Sequence, residues 1–344
     1  MTSRHPLVEL TLARVRLFYR EPGVIFWTFG FPILITLALG IAFRNRPPEP
    51  VTAAIVSGPG ASEVQAALSR ARDVKVRVLG AREARLALRT GKVAIVVTPG
   101  ATRVYELDPT RPESRLARAI VDDVLQRAEG RKDIRGVSDH HLTEPGARYV
   151  DFLVPGLIGL NIMSSGMWGI GYVIAETRTK KLLKRMRATP MRGSHYLLSF
   201  MLSRVAFLLL ELPVLLVFAA AVFSVKVHGS LGLLVAFATL GALAFAGLGV
   251  LVASRARNTQ TVTGLINLVM MPMFIGSGVF FSYENFPDAI LPVLRLLPLT
   301  ALNDGLRAIT NEGAGLVAIL PQIGVLAFFA TASFVVGLKI FRWK

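Results

Sequence analysis

FLVPGLIGLNIMSSGMWGIGYVIAETRTKKLLKRMRATPMRGSHY, residues 152–196, changes character halfway along. The first half, 152–175, carries no charge. The second holds Arg178, Lys180, Lys181, Lys184, Arg185, Arg187 and Arg192. A helix needs about 20 mostly apolar residues to cross a hydrocarbon core about 30 Å thick, and 152–175 meets that length. A cationic segment at the exit of an apolar run is the usual mark of a membrane span and its flanking loop. This pair therefore reads as membrane protein.

The rest of the chain agrees. Of its 344 residues, 53% are hydrophobic and 18% charged, against about a quarter charged in a soluble domain. Apolar runs of spanning length recur, and the expected spans are 24–43, 151–175, 196–225, 231–253, 261–282 and 316–338. The run beginning at 196 carries Arg204 and Glu211 and is still counted as a span. The first run starts too late and extends too far for a signal peptide. Lys/Arg gather in 1–23, in the basic segment 176–195, at Arg255 and Arg257, and at Lys339, Arg342 and Lys344. The intervening loops hold only Lys226, and Arg295 with Arg307. By the positive-inside rule both termini and the basic segment face the cytoplasm. One aromatic (Tyr196) and no groove-reading motif leave little for nucleic acid.

Residues 44–150 differ, with nineteen Lys/Arg and thirteen Asp/Glu. VTAAIV (51–56), VKVRVL (74–79), KVAIVV (92–97) and TRVYEL (102–107) read as strands. ASEVQAALSRA, AREARLALRT and ESRLARAIVDDVLQRAEG read as helices. The alternation predicts a small extracytoplasmic α/β domain. TGK at 90–92 imitates a phosphate loop, but that device needs glycine where Leu86 stands.

Enzyme chemistry has little footing. There is no cysteine, and His5, His140, His141, His195 and His228 all lie outside the spans. Ser164 and Ser165 lack a base in their span. No catalytic residue, cofactor or metal site is therefore expected. The strongly polar residues within spans are Asn161, Arg204, Glu211 and Asn267. A mid-span charge faces a bundle interior or a water-filled cavity by default, so Asn161, Glu211 and Asn267 become candidates for a translocation path. Arg204, seven residues before Glu211, is expected on the same helix face, snorkelling toward the interface. Pro213 frees a backbone carbonyl.

ETRTKKLLKRMRATPMRGSHYLLSFML and GSGVFFSYENFPDAILPVLRLLPLTALNDGLRAI (276–309) resemble segments of ABC-2 type transporter permeases. With RLFYREPGVIFWTFGFPILI near the start, the resemblance covers nearly the whole chain. The order of one span, an outer domain and five further spans supports it. It departs where the family has a glycine and acidic residues and this chain has Lys180, Lys181 and Lys184, and where Ser282 replaces a frequent proline.

The resemblance implies a separate ABC-type ATP-binding subunit carrying ATP and Mg, and two permeases per exporter, as a homodimer or a mixed pair, in a bacterial inner membrane. It implies an amphipathic N-terminal helix, for which Leu7, Leu10, Arg14, Leu17 and Phe18 supply a stripe. It assigns ATPase coupling to Glu176, Lys180, Lys181, Leu182, Leu183, Lys184, Met186, Arg187, Thr189 and Pro190. Leu182, Leu183 and Met186 form an apolar stripe on a cationic helix that Thr189-Pro190 ends. Segment 283–310, with Pro287, Pro292 and Pro298, reads as a re-entrant outer hairpin, with Phe280, Phe281, Pro287 and Pro298 as an outer gate. The expected function is export of an amphiphilic, drug-like or lipid-like substrate, with 339–344 as a cytoplasmic tail. The alternatives are a membrane-anchored scaffold or receptor without transport, and an ion-coupled transporter. Against the latter, intramembrane carboxylates are few and inverted repeats are not evident.

Overall fold

The computed structural model describes residues 6–42, 50–132, 134–135, 138, 148–183 and 193–342. The chain divides into two compact units, Asn45–Leu142 and the remainder.

The remainder is a helical bundle. Helix α1 (Pro6–Arg20) precedes a first apolar helix built in three pieces: α2 (Pro22–Ile25), a π-turn (Phe26–Gly30) and α3 (Phe31–Ala42). Helix α7 (Tyr149–Gly166) runs through a second π-turn (Met167–Tyr172) into α8 (Val173–Thr179). Then come α9 (Gly193–Phe223), α10 (Leu231–Ala253), α11 (Thr259–Gly276), the short α12 (Leu291–Arg295), α13 (Pro298–Asn311) and α14 (Leu320–Ile340). Among the described residues five helices are long and apolar enough to cross a membrane: 149–179, 194–223, 231–253, 259–276 and 316–340. The first apolar helix, Phe26–Ala42, is shorter. The expected span 261–282 also ends early. Its helix stops at Gly276, and the chain turns through Gly278 at φ 67°, where a side chain is strained.

Helix α10 is the centre of the bundle, touching α7, α9, α13, α14 and the second π-turn. Its small residues make this possible. A Cβ on Gly249 would meet the carbonyl of Gly166 at 2.6 Å, and one on Gly166 would meet the backbone of Phe245 at 2.9 Å. Small residues are what let helices approach to backbone contact in lipid, where burial of apolar surface gives no drive.

Within the polar unit, β1 (Val51–Val56), β2 (Val74–Leu79), β3 (Ile95–Thr98) and β4 (Val104–Glu106) form one sheet in the order β2-β1-β3-β4. β1 is parallel to β2 and β3, whereas β3 and β4 are antiparallel. Alternation sorts β1 between two cores. Ala53 and Ile55 pack with α4 (Ala61–Ser69) and α6 (Pro112–Ala128). Ala54 packs with Ala84 and Ala87 of α5 (Ala81–Arg89). The TGK triplet closes α5: the Thr90 hydroxyl donates to the Leu86 carbonyl at 2.8 Å and Gly91 takes φ 73°. This is a glycine helix terminus.

Candidate functional site

The intramembrane polar cluster begins with a proline. Thr28 would pass its carbonyl to the N–H four residues on, but that residue is Pro32, which has none. Asn161 of α7 supplies the missing donor, its Nδ2 lying 3.3 Å from the Thr28 carbonyl. The same Asn161 amide donates to Oε1 of Glu211 on α9. The other carboxylate oxygen, Oε2, accepts from Arg204 Nη1 at 2.7 Å. Glu211 is 1% exposed and Arg204 3%, so Arg204 does not snorkel. It turns inward along its own helix and ion-pairs. The energetic reason is the carboxylate seven residues on: an unpaired buried charge costs several kcal/mol even after relaxation. The cluster thus ties the first apolar helix, α7 and α9 together, and both Glu211 oxygens are filled within one chain. Asn267 stands apart, exposed on α11.

The same proline logic recurs at the other end of α7. Pro155 deprives the Asp151 carbonyl of its helical donor, and Asn311 Nδ2 takes it at 3.0 Å. Arg307 on α13 donates to the Phe152 carbonyl at 3.2 Å and to that of Gly278, and its guanidinium lies 3.6 Å from the Phe152 ring centre. Asn303 donates to the Ser277 carbonyl at 2.8 Å. Helix α13 is therefore sunk in protein, as irregular backbone at membrane depth requires. Of the four expected gate residues, Pro298 is buried as the first residue of α13, and Phe280 is half-buried, its carbonyl accepting from the Tyr149 hydroxyl at 2.8 Å. Phe281 and Pro287 are exposed. The Phe280 ring packs edge-on against Phe274, and the Phe281 ring lies 6.1 Å from that of Phe286.

The basic segment is described as far as Leu183 and again from Gly193, so Lys184, Met186, Arg187, Thr189 and Pro190 lie outside the described residues. Glu176 accepts from Lys180 Nζ at 2.8 Å, and this hydrogen bond holds the Lys180 ammonium above the ordinary lysine range. Lys181 has φ 58°, the left-handed conformation that glycine adopts freely. Leu182 and Leu183 do not share a stripe: Leu183 is buried in the bundle core while Leu182 is exposed.

Arg178 was missed from sequence. Among the described cations of this segment it is buried, 9% exposed, whereas Lys180 and Lys181 are exposed. Its Nη1 donates to the carbonyls of Ala253, at 2.8 Å, and Ala256. Its Nη2 donates to those of Ser254 at 3.1 Å and Arg342 at 2.9 Å. The last carbonyls of a helix have no partner within it and form the negative end of its dipole. Hydrogen bonds to a charged donor contribute roughly 1.5–3 kcal/mol each. The available signal was weak: one arginine following a span, indistinguishable by spacing from its exposed neighbours.

Helix α1 also docks more specifically than an apolar stripe implies. Arg14 Nε donates to Ser199 Oγ at 3.0 Å, and its guanidinium lies 3.1 Å from the Phe200 ring centre on α9. Phe18 stacks on Phe207 with centroids 4.3 Å apart. Leu17, expected in the stripe, points away and is exposed.

The comparisons with known proteins agree with this architecture. The profile of the ABC-2 family transporter proteins matches residues 22–339. The chain is 21% identical over 225 residues to the probable multidrug ABC transporter permease YbhS of Escherichia coli strain K12, covering 64% of this chain and 59% of that one. It is 27% identical over 174 residues to ABC transporter G family member 20 of Dictyostelium discoideum, covering 50% of this chain and 24% of that one. Against the linearmycin resistance permease protein LnrN of Bacillus subtilis strain 168 it is 24% identical over 180 residues, 51% of this chain and 46% of that one. The matches span less than two thirds of these relatives' own lengths. With a family profile running from the first apolar helix through the polar unit to the last span, the chain belongs to the ABC-2 family of transporter proteins and is a multi-pass permease of the ABC transporter type.

Proposed function

We propose that this permease is the membrane subunit of an ATP-driven exporter, working as a pair of permeases with a separate ATP-binding subunit that holds ATP and Mg. The observation that carries this reading is the family match over 22–339, which takes in the bundle and the polar unit together. In it, Phe26–Ala42 is the sixth span, Asn45–Leu142 lies outside a bacterial inner membrane, and both termini lie inside, as the Lys/Arg distribution favours. The basic segment 176–192 receives the ATPase. The substrate is amphiphilic, drug-like or lipid-like. Spans with few charges support this, as do relatives named for multidrug transport and linearmycin resistance.

Asn267, exposed on α11, offers its amide to the path directly. Asn161 and Glu211 reach the path when the contact among the first apolar helix, α7 and α9 opens. The half-buried and exposed residues Phe280, Phe281 and Pro287 line the outer mouth, and Pro298 anchors it.

The test is purification of the tagged chain in mild detergent, with mass spectrometry and an ATP hydrolysis assay. A stoichiometric ATP-binding chain that is lost on charge reversal at Lys180, Lys184 and Arg187 is the expected result. A pure, folded permease with no nucleotide-hydrolysing partner overturns the reading and favours an anchored scaffold.

A further inference from the structure

Segment 176–192 begins within the last turn of α8 and leads along the chain into α9. A displacement received there has a covalent route into those two alone. Helices α10 and α14 lie against each other along the bundle, yet neither is attached to the segment. The contacts of Arg178 close that gap. Its guanidinium meets carbonyls at the end of α10 and just beyond it, and the carbonyl of Arg342 just beyond α14. Phe341 places its ring centre 5.1 Å from the same guanidinium. The Ser254 carbonyl is shared: it also accepts from the Arg342 backbone N–H at 3.0 Å. The ends of α8, α10 and α14 thus converge on one planar cation whose donors are fixed in a fork. A local C-cap would draw its cation from the same helix, whereas these partners lie 75, 76 and 164 positions away in sequence. Immediately after this knot, at Lys181, the backbone leaves the helix.

We propose that Arg178 is a positioning residue that carries movement of the basic segment into α10 and α14, so that four helices rather than two respond to the ATPase. This rests on the reading that the segment receives the ATPase. An arginine is suited to the task because its fork stays charged and cannot slide along the carbonyls as a lysine ammonium does.

The chain has no cysteine, so introduced thiols report without background. The experiment places spin labels at Thr179→Cys and Arg257→Cys, both exposed positions, in the purified complex with its ATPase. The label distance is read with and without trapped nucleotide, and transport per ATP is measured alongside. With Arg178 present, the expected distance is the same in both states, because the two positions move as one. Arg178→Ala is expected to hold the ATPase and hydrolyse ATP, to show a nucleotide-dependent change in that distance, and to lose transport per ATP about tenfold. Arg178→Lys, which keeps the charge and loses the fork, is expected between the two and serves where Arg178→Ala does not fold. Bridging the two cysteines with a short bifunctional reagent is expected to restore the ratio in either variant, which a merely destabilised bundle would not allow. If both variants keep the nucleotide-independent distance and the parent ratio, the proposal is overturned while the exporter reading stands. If the parent chain holds no ATPase, both fall together.

Discussion

Two Arg–Glu pairs, one in each unit, show what the surroundings do to the same chemistry. In the polar unit Arg85 Nη2 lies 2.9 Å from Glu106, with side chains 72% and 31% exposed. In the bundle Arg204 Nη1 lies 2.7 Å from Glu211, with side chains 3% and 2% exposed. The lengths are nearly equal, but the consequences differ. An exposed pair exchanges water for a partner at little net gain and is screened by salt. The buried pair has given up its water, so each ion depends on the other. Close geometry alone therefore says little about which pair organises the fold. The buried pair, with Asn161 bridging to Thr28, fixes how three helices meet.

The largest expected effect follows from breaking the buried pair on one side. Glu211→Ala leaves Arg204 buried and uncompensated and is expected to destabilise the bundle by about 3–5 kcal/mol, read as a large drop in thermal midpoint in detergent. Replacing both partners, Arg204→Leu with Glu211→Leu, is expected to recover more than half of that loss, because no lone charge remains. A double variant as unstable as Glu211→Ala would show that the pair is more than mutual compensation. Asn161→Ala comes next, at about 1–2 kcal/mol, since hydrogen bonds between membrane helices contribute about that much in favourable cases.

The polar unit responds more weakly, and to acid. Hydrogen bonds from Arg85, Thr110 and Arg127 hold the carboxyls of Glu106, Asp108 and Asp123, respectively, below their ordinary values of 4.5, 3.8 and 3.8. Groups held down in the fold contribute stability above their unfolded values and lose it as pH falls through the folded ones. Amide exchange across β1–β4 in the whole chain should therefore be level from neutral pH down to about 4.5 and quicken below it, after correction for intrinsic exchange. The smallest effect is expected of Arg85→Ala: a slight shift near neutral pH that disappears in molar salt. A large, salt-resistant loss there would erase the contrast between the two pairs.

Much of the fold was legible in the sequence because it rests on local patterns. The strands at 51–56 and 74–79 match residue for residue, since short apolar runs rich in β-branched residues leave few options. The strands expected at 92–97 and 102–107 form at 95–98 and 104–106 instead. Lys92 and Val93 are drawn into the closing turn of α5, where both backbone N–H groups bond to the Ala87 carbonyl. Long apolar runs marked five helices of spanning length; the helix at the first run, Phe26–Ala42, is shorter, and glycine at 276 and 278 cut 261–282 short.

The site was less legible because it depends on which helices become neighbours. Glu211 was picked out by the cost of its charge, and Asn161 by its polarity. That Asn161 and Glu211 meet, with Arg204 on the other carboxylate oxygen, required the packing of α7 against α9. The prolines carried a signal that was read only at Pro213. Pro32 and Pro155 each free a carbonyl, and an asparagine from another helix answers each. Arg178 looked like one cation among seven. Only the tertiary fold distinguishes a guanidinium facing carbonyls from one facing water.

On the proposed function, the permease moves substrate on energy delivered through residues 176–192. The most direct measurement is ATP hydrolysis by the co-purified complex in liposomes, with and without an amphiphilic test compound, for the parent chain and for the variant reversed at Lys180, Lys184 and Arg187. Hydrolysis is expected to rise with the compound in the parent, and the variant is expected to lose both the bound ATPase and the stimulation. Equal stimulation in the two, with the ATPase still bound, would contradict the proposed function.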